Sequence, residues 1–398
     1  MKQYRLFASI LAVIIGVAGL LPNASAAPRD LPLLPPGKHL GMIVGFEKLP
    51  SELQVKADGY WKDAVAKGMD VGRVQSDWGV LEPKPGEFNK SALEGALQDM
   101  KAKGVHPFVT ITTLDTENYS MPPFLMDEKR ERLRDGLNMG SPSIIEGFKK
   151  VLDWVVPMCK QYGVWALSIA NEPETIFKDH PEEADGLVQF LRASREYAHG
   201  ICPDLAVTVT LGSSGVFDKK PWTAPLVSES DVACFNYYGI DHLTMEVYDD
   251  FSRVQTYMGA LVKAADGRYV MLQEWGCPAG YTDKPSPMKT SPEKQREFFK
   301  TSIDTMAKEP QFRIAFAFQL LDWSPQLTKQ FNEGFFKAGT QENVVRKLEE
   351  WLLTSGLVRY EDGAPRPAWS AYLEGLGQFA EQRAAQGKAA GLPGGKTP

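Results

Sequence analysis

Short apolar runs alternate with longer amphipathic stretches along most of this 398-residue chain. Eight of the runs have the length of a buried strand and are bounded by turn formers, whereas the stretches between them have helical spacing. Strands are predicted over residues 40–46, 71–78, 107–112, 164–172, 205–211, 232–238, 269–276 and 314–320. Helices are predicted over residues 54–67, 91–103, 143–161, 183–199, 250–265 and 293–308, with closing helical segments around Trp351 and Trp369.

This alternation predicts an α/β fold with a parallel sheet, because each parallel crossover needs a connection of helical size. Eight such units close into a (β/α)8 TIM barrel, here as a single domain. The competing fold is an open, doubly wound sheet, which usually carries a Gly-rich phosphate loop after its first strand. Gly41 and Gly45 do not form that fingerprint, so the barrel is favoured.

The two ends of the chain differ in composition from the predicted barrel. Residues 1–26 have a basic start, an apolar run and a small-residue cleavage site at Ala26, which together predict a cleavable signal peptide and a secreted or periplasmic protein. Residues 27–38 form a Pro-rich lead-in, and residues 39–380 the barrel domain. Residues 381–398 are rich in Ala, Gly, Gln and Lys, which favours a disordered tail.

Charge and cysteine content narrow the range of partners. The formal net charge of −6 argues against nucleic acid as a binding partner. No stretch beyond the predicted signal is long and apolar enough to span a membrane. We expect no metal, because the cysteines and histidines lack metal-ligand spacing. We also expect no organic cofactor, and a monomer. Cys159 and Cys202 end consecutive helices, and whether they form a disulfide stays open; Cys234 and Cys277 are expected to be unpaired.

Two predicted strands, the fourth and the seventh, deliver a glutamate at their carboxyl ends. Asn171-Glu172-Pro173 ends one strand, because proline lacks an N–H and disfavours helix in the preceding residue. Gln273-Glu274-Trp275-Gly276 ends the other. In a barrel these strand ends carry the catalytic groups, and two carboxyl groups flanking a glycosidic bond can cleave it. Glu172 and Glu274 are therefore predicted to be the catalytic pair of a sugar-cleaving enzyme.

These two motifs resemble the strand-four and strand-seven signatures of the clan A glycoside hydrolases, which are retaining barrel enzymes. Four further segments are also similar to this clan, namely 72–88, 235–238, Asp322-Trp323 and 362–369. The resemblance therefore covers nearly the whole chain up to about residue 380. Families 5, 39 and 1 are the most similar, and no single family is assigned.

The resemblance implies roles for individual residues. Glu172 would be the acid/base and Glu274 the nucleophile of a double displacement. Arg73 and Tyr238 would favour the ionised form of Glu274, whereas Glu172 needs surroundings that raise its pKa. Asn171 would bind the sugar 2-hydroxyl.

Other residues are implied as sugar contacts. Asn236 is one, and Trp78 and Trp323 would offer flat apolar surfaces to sugar faces. One departure from the β-glucosidase pattern stands at Thr113, where a histidine that touches the sugar is usual, so ordinary β-glucosidase specificity is not implied.

The remaining aromatic and acidic candidates are weaker. Tyr119, Trp222 and Tyr281 lie in predicted loops and are candidate outer platforms for sugars. Asp115 and Asp322 are left open as substrate contacts. Tyr237 and the tryptophans on helical stretches are interpreted as packing, namely Trp61, Trp154, Trp351 and Trp369.

The predicted function is a secreted retaining glycoside hydrolase acting on a β-linked oligo- or polysaccharide. Two alternatives remain open: a glycan-binding barrel without turnover, and a transglycosylase that uses the same site with a sugar acceptor in place of water.

Overall fold

The computed structural model of the chain describes residues 30–45, 47–335 and 341–389. The predicted signal peptide over residues 1–26 lies outside the described residues, as do the last nine residues of the predicted tail.

Eight parallel strands form the centre of the molecule. We number them β1 to β8 in chain order, and they comprise His39–Ile43, Val71–Asp77, His106–Thr112, Ala166–Asn171, Ala206–Gly212, Ala233–Tyr238, Val270–Gly276 and Phe312–Phe318. Each strand from β2 to β8 pairs with the next in parallel, and β8 pairs with β1 from His39 beside Ile314 to Ile43 beside Phe318. The predicted α/β fold, a (β/α)8 barrel, is confirmed.

Strands β1 and β2 lie side by side, and their described residues form no hydrogen-bonded ladder. Gly41 of β1 allows the close approach, because a Cβ atom there would lie 2.7 Å from the carbonyl oxygen of Val71 and 2.6 Å from the ring of Phe316. The barrel is therefore nearly closed, with its one open seam between the first two strands.

Helices surround the barrel. Labelled α1 to α13 in chain order, they comprise Ser51–Ala66, Trp78–Leu81, Lys90–Ala102, Pro142–Tyr162, Glu174–Asp179, Glu182–Ile201, Ser213–Phe217, Thr223–Glu229, Ser252–Ala264, Pro292–Lys308, Pro325–Phe335, Glu342–Thr354 and Pro367–Ala389. All six helices predicted with bounds are present, and their ends, like those of the strands, lie within about three residues of the prediction.

The interior of the barrel is packed with large side chains. Phe108 stacks between Trp165 and Phe316, with ring centroids 5.5 and 5.8 Å away. Leu31 and Leu34, from the Pro-rich lead-in, are buried against the same cluster. The described part of the lead-in is thus packed onto the amino-terminal end of the barrel and belongs to the domain.

The last helix extends further than predicted. Helix α13 continues to Ala389, so the prediction of a disordered tail from residue 381 onward is wrong for residues 381–389. Arg383 shows why the helix continues: its guanidinium donates to the carbonyl oxygens of Lys38 and Gly68 and pairs with Asp70 at 3.3 Å. These contacts with distant parts of the chain are not visible in a composition rich in small and polar residues.

All four cysteines are free thiols buried in the protein, so Cys159 and Cys202 do not form the disulfide that the sequence left open. Burial raises the pKa of the Cys159 thiol, and the nearby Cys202 adds to that effect. Both side chains fill the helix-side core as small apolar groups. Cys234 and Cys277 are unpaired, as expected.

Candidate active site

Two irregularities in the sheet aim the key residues of the site. The pairing of β4 with β5 shifts register between Ser168 and Asn171, and the pairing of β7 with β6 shifts between Leu272 and Glu274. Side chains along a regular strand alternate between its two faces, so consecutive residues cannot both face the interior. A shift of this kind re-aims a side chain. Gln273 and Glu274 both reach the polar cluster at the carboxyl end of the barrel for this reason.

Glu274 is held by two donors from other strands. The Arg73 guanidinium donates to Glu274 Oε1 at 2.9 Å, and the side chain of Arg73 is 3% exposed. The hydroxyl of Tyr238 donates to Oε2 at 2.5 Å. The structure therefore brings Glu274, Arg73 and Tyr238 together as predicted, with both carboxylate oxygens oriented and a buried positive charge beside them.

Glu172 has very different surroundings. Its backbone has a φ of +45°, a strained conformation for a residue with a side chain, and its N–H donates to the carbonyl oxygen of Thr210 at 2.9 Å. Enclosure of the side chain raises the pKa of Glu172 well above its ordinary value, and the charges of Glu274, Glu174 and Asp115 raise it further. A hydrogen bond from Asn236 opposes this rise in the pKa without cancelling it.

Asn171 links β4 to β7. Its Oδ1 accepts from Gln273 Nε2 at 2.7 Å and from Asn236 Nδ2 at 3.2 Å, and its Nδ2 donates to Asp115 Oδ1 at 2.8 Å. Gln273 is itself fixed, because its Oε1 accepts from two buried threonine hydroxyls at 3.0 and 2.8 Å. Asn171 and Asn236 thus lie in the site as predicted, and Gln273 is a supporting residue that sequence reasoning passed over.

Asp115 enters the site from a small hairpin. Leu114–Asp115 pairs with Asn118–Tyr119, and Asp115 lies beside Asn171 in the sheet. Burial and the charge of Glu274 raise the pKa of Asp115 to about 6, although its hydrogen bond from Asn171 acts in the opposite direction. Thr113 is buried and donates to a main-chain carbonyl at 2.7 Å. Asp115 is therefore the residue of this segment that reaches the cluster of acids.

Trp78 is not a sugar platform. Its ring is 0% exposed, packs against Phe148 at 5.0 Å and donates through Nε1 to Glu82 Oε2 at 2.9 Å. The assignment of Trp78 as a substrate contact is wrong, because Trp78 lies five positions after Arg73 and the alternation of β2 places it on the opposite face, in the helix-side core with Val74.

Trp323 and Trp351 are two of the tryptophans that follow β8. Trp323 is partly exposed beyond the end of β8, where its Nε1 donates to Gln319 Oε1 at 3.1 Å. Trp351, which was interpreted as packing, contacts the tyrosine that binds Glu274: it stacks on Phe318 with ring centroids 5.2 Å apart and lies perpendicular to the ring of Tyr238 at 5.0 Å. Its helical position in the sequence concealed this, since nothing local shows which strand end a helix beyond β8 covers.

Asp322 is structural. Both its oxygens accept from the Arg366 guanidinium at 2.8 Å, and Oδ1 also accepts from the backbone N–H of Gly356 at 2.8 Å. This fully used, buried carboxylate ties the loop after β8 to the segment before α13, so a substrate contact is excluded.

The candidate outer platforms are each engaged by the protein. Tyr119 donates to Glu183 Oε1 at 3.2 Å, Trp222 packs against Phe177 at 5.4 Å, and Lys284 lies 3.8 Å above the ring of Tyr281. Tyr237 is buried against Phe298 on the helix side of β6, which confirms its packing role.

The described residues contain no group of three or more His, Cys, Asp or Glu side chains arranged to hold a metal ion. None of the helices in the described part of the chain combines the length and apolarity needed to cross a membrane.

No protein-family model matches the sequence, and the comparison with curated proteins finds no match. The fold is similar to solved structures. One is an exo-β-1,4-mannosidase from Opitutaceae bacterium strain TAV5, with 14% identity and a TM-score of 0.62, and the alignment covers 92% of this chain and 63% of that chain. This chain thus spans less than two thirds of the length of that mannosidase.

Two further similar structures are GH5_18 proteins in complex with Manβ1-4GlcNAc, both glutamate-to-alanine variants. The one from Streptomyces cattleya has 17% identity and a TM-score of 0.62, and the alignment covers 90% of this chain and 83% of that chain. The one from Bifidobacterium longum subsp. longum ATCC 55813 has 16% identity and a TM-score of 0.61, with coverage of 90% and 80%. The resemblance stated from the sequence is therefore confirmed at the level of the fold: this chain shares the (β/α)8 barrel of these glycoside hydrolases.

Proposed function

We propose that this protein is an exported retaining glycoside hydrolase with Glu172 as acid/base and Glu274 as nucleophile. The opposite surroundings of the two glutamates carry the proposal. Glu274 is paired with a buried guanidinium and a phenol, whereas the pKa of Glu172 is raised by enclosure and by neighbouring acids. A retaining mechanism needs this division, with one carboxylate ready to attack and one carboxylic acid ready to donate.

In the first step, Glu274 attacks the anomeric carbon while Glu172 gives its proton to the departing glycosidic oxygen. The product is a glycosyl ester on Glu274, and Glu172 is left ionised. In the second step, Glu172 removes a proton from water as the water attacks the anomeric carbon and Glu274 leaves. Arg73 and Tyr238 orient the Glu274 carboxylate before the first step and receive it again after the second.

The substrate class that we propose is β-linked glycosides, with β-mannosides first. Support comes from the similar structures, whose names include an exo-β-1,4-mannosidase and complexes with Manβ1-4GlcNAc. The polar groups beside Glu172 suit a hydroxyl-bearing ring, because Asn171 keeps one amide hydrogen for a sugar and Asp115 offers carboxylate oxygens.

Export is part of the same proposal. The basic, apolar and small-residue pattern of residues 1–26 supports a signal that is removed near Ala26. Amino-terminal sequencing of the mature protein from the periplasm or medium would test this, and a retained Met1 would contradict it.

Trapping of the glycosyl-enzyme tests the catalytic assignment. Activated 2-fluoro glycosides, starting with the 2-fluoro mannoside, are incubated with the protein and the labelled peptide is mapped by mass spectrometry. We expect the label on Glu274 and none in Glu274→Gln. A label on another carboxylate would overturn the assignment, and binding without label or turnover would favour a glycan-binding barrel.

Product analysis separates hydrolysis from transglycosylation. With a β-mannoside and an excess of acceptor sugar, a hydrolase releases mannose, whereas a transglycosylase forms longer oligosaccharides through the same Glu274 ester.

A further inference from the structure

Gly212, the last residue of β5, lies between two carboxyl groups. A Cβ atom on Gly212 would lie 3.6 Å from Glu172 Oε1 and 3.6 Å from Glu174 Oε2. The backbone N–H of Gly212 donates to Glu174 Oε1 at 2.7 Å. Both carboxyl groups therefore pack against the same residue at the end of β5, which places the second acid beside the first.

We propose that Glu174 is a positioning residue for the acid/base: its carboxylate, fixed on the backbone of Gly212, keeps the proton on Glu172 until the leaving group takes it. This inference rests on the proposed function, in which Glu172 is the proton donor.

The position of Glu174 is set by the chain around it. Pro173, with a φ of −70°, precedes the helix α5 that begins at Glu174. On the other side of the carboxylate lies Gly215, where an added Cβ would be 3.6 Å from Glu174 Oε1, 3.1 Å from Thr223 Oγ1 and 3.8 Å from Trp222 Nε1. Those two donor groups have no protein partner among the described residues, and they face the same small space as Glu174.

Few positive charges face the pair. The acidic groups that act on Glu172 are Glu274, Glu174 and Asp115, its side-chain donor is Asn236, and Tyr238 lies close enough to feel its charge. Burial raises the pKa of Glu174 to about 7, against hydrogen bonds from its own backbone and Gly212 and a small opposing effect of Lys178.

The effect of Glu174 on Glu172 depends on pH. Below about pH 7 Glu174 is neutral and leaves Glu172 unaffected. Above about pH 7 the ionised Glu174 disfavours a second negative charge on Glu172, so Glu172 retains its proton to higher pH. Glu174 thus extends the working range of the acid on its alkaline side only.

The test is the pH profile of kcat/KM for Glu174→Gln, which keeps the shape and the Gly212 hydrogen bond but removes the charge. With an alkyl β-glycoside, whose leaving group needs the proton, we expect the alkaline limb to move about one pH unit lower. With an activated dinitrophenyl glycoside, which needs little protonation, we expect less than a twofold change. Glu182→Gln, an exposed glutamate on α6, is the matched control and should leave both profiles unchanged.

Glu174→Asp provides the second variant, because it keeps the charge and should place the limb between wild type and Glu174→Gln. An unmoved alkaline limb in Glu174→Gln, in an enzyme that still labels on Glu274, overturns the inference and leaves the proposed function intact. Equal losses at every pH and with both leaving groups also overturn it, since they indicate a structural role. A wild-type protein with neither turnover nor label removes the proposed function and the inference with it.

Discussion

Asn171 has used most of its hydrogen-bonding capacity before a substrate arrives. Its Oδ1 accepts from Gln273 and Asn236, and one of its two amide hydrogens goes to Asp115. The hydrogen that remains can only donate, so a sugar hydroxyl bound there must accept from Asn171. The proton of that hydroxyl, or of the next one on the ring, then finds an acceptor in Asp115.

Replacement of Asp115 by Asn tests this arrangement. The change removes a charged acceptor, and hydrogen bonds to charged groups contribute about 1.5–3 kcal/mol, so we expect kcat/KM to fall about tenfold to a hundredfold. The loss should shrink with 2-deoxy or 3-deoxy substrates, whichever lacks the hydroxyl that Asp115 binds. Asp135→Asn, at an exposed carboxylate, is the control. An equal loss with the parent, 2-deoxy and 3-deoxy substrates would show that Asp115 contacts protein groups and no sugar hydroxyl.

At the scale of elements, α12 takes part in the site through one aromatic side chain. Trp351 stacks on Phe318 and lies perpendicular to the ring of Tyr238, whose hydroxyl binds Glu274. Because the ring of Trp351 supports the ring of Tyr238, removing it leaves the hydroxyl less well fixed on Glu274.

Trp351→Ala should therefore lower kcat/KM by about tenfold to a hundredfold, because a displacement of about 1 Å at a catalytic group costs this much. Trp351→Phe keeps most of the stacking and should retain most of the activity. Trp323→Ala, at the other partly exposed tryptophan after β8, is the variant with which the loss in kcat/KM is compared. A larger loss in Trp323→Ala than in Trp351→Ala would contradict the importance given to α12.

The ion pair of Asp322 with Arg366 joins the loop after β8 to the start of α13. Asp322→Ala leaves a buried guanidinium without its partner, which costs about 3–5 kcal/mol of unfolding free energy. Urea denaturation measures this loss. Glu146→Ala, which removes an exposed pair with Lys149, should change stability by less than about 1 kcal/mol. Similar changes in the two variants would mean that the buried pair is not a main connection of this loop.

The elements that the sequence predicts best are those that its local pattern determines. Apolar runs with turn formers at both ends locate β1 to β8, and Asn171-Glu172-Pro173 places an acid at the end of β4 because proline cannot continue the strand. Trp78 was misjudged because a tryptophan near a strand end was given to the cleft, although its odd spacing from Arg73 places it on the opposite face, with Val74. The alternation of β2 therefore predicts the direction of Trp78 correctly once Arg73 is known to face the interior.

Residues that enter the site from elsewhere could not be placed from the sequence. Asp115 reaches Asn171 only because a two-residue strand pairs beside β4, and Glu174 is held beside Glu172 by the backbone N–H of Gly212 at the end of β5. Both depend on contacts between segments distant in the chain, and single residues with ordinary neighbours give no signal of them.

At the scale of the whole molecule, the carboxyl end of the barrel concentrates acids whose pKa values are raised. Burial raises the pKa of Asp115 to about 6 and that of Glu174 to about 7, and the pKa of Glu172 lies well above its ordinary value. The unfolded chain releases these protons near pH 4, whereas the folded protein holds them longer. Their contribution to folding is therefore greatest below about pH 4 and is lost as the pH rises through 6 and 7.

Glu174→Gln isolates one part of this effect, because glutamine imitates the protonated acid at every pH. Relative to wild type, the free energy of unfolding of the variant should rise by about 1 kcal/mol or more between about pH 4.5 and about pH 7. Above about pH 7 the difference should stay constant. Urea denaturation at pH 4, 6 and 8 measures the difference, with Glu182→Gln as the exposed control that should show no such trend. A difference that is constant with pH would show that Glu174 ionises as readily in the folded protein as in the unfolded chain. If Glu174→Gln is instead more stable than wild type but less active at alkaline pH, the charged Glu174 beside Glu172 lowers the stability of the wild-type protein while supporting its activity.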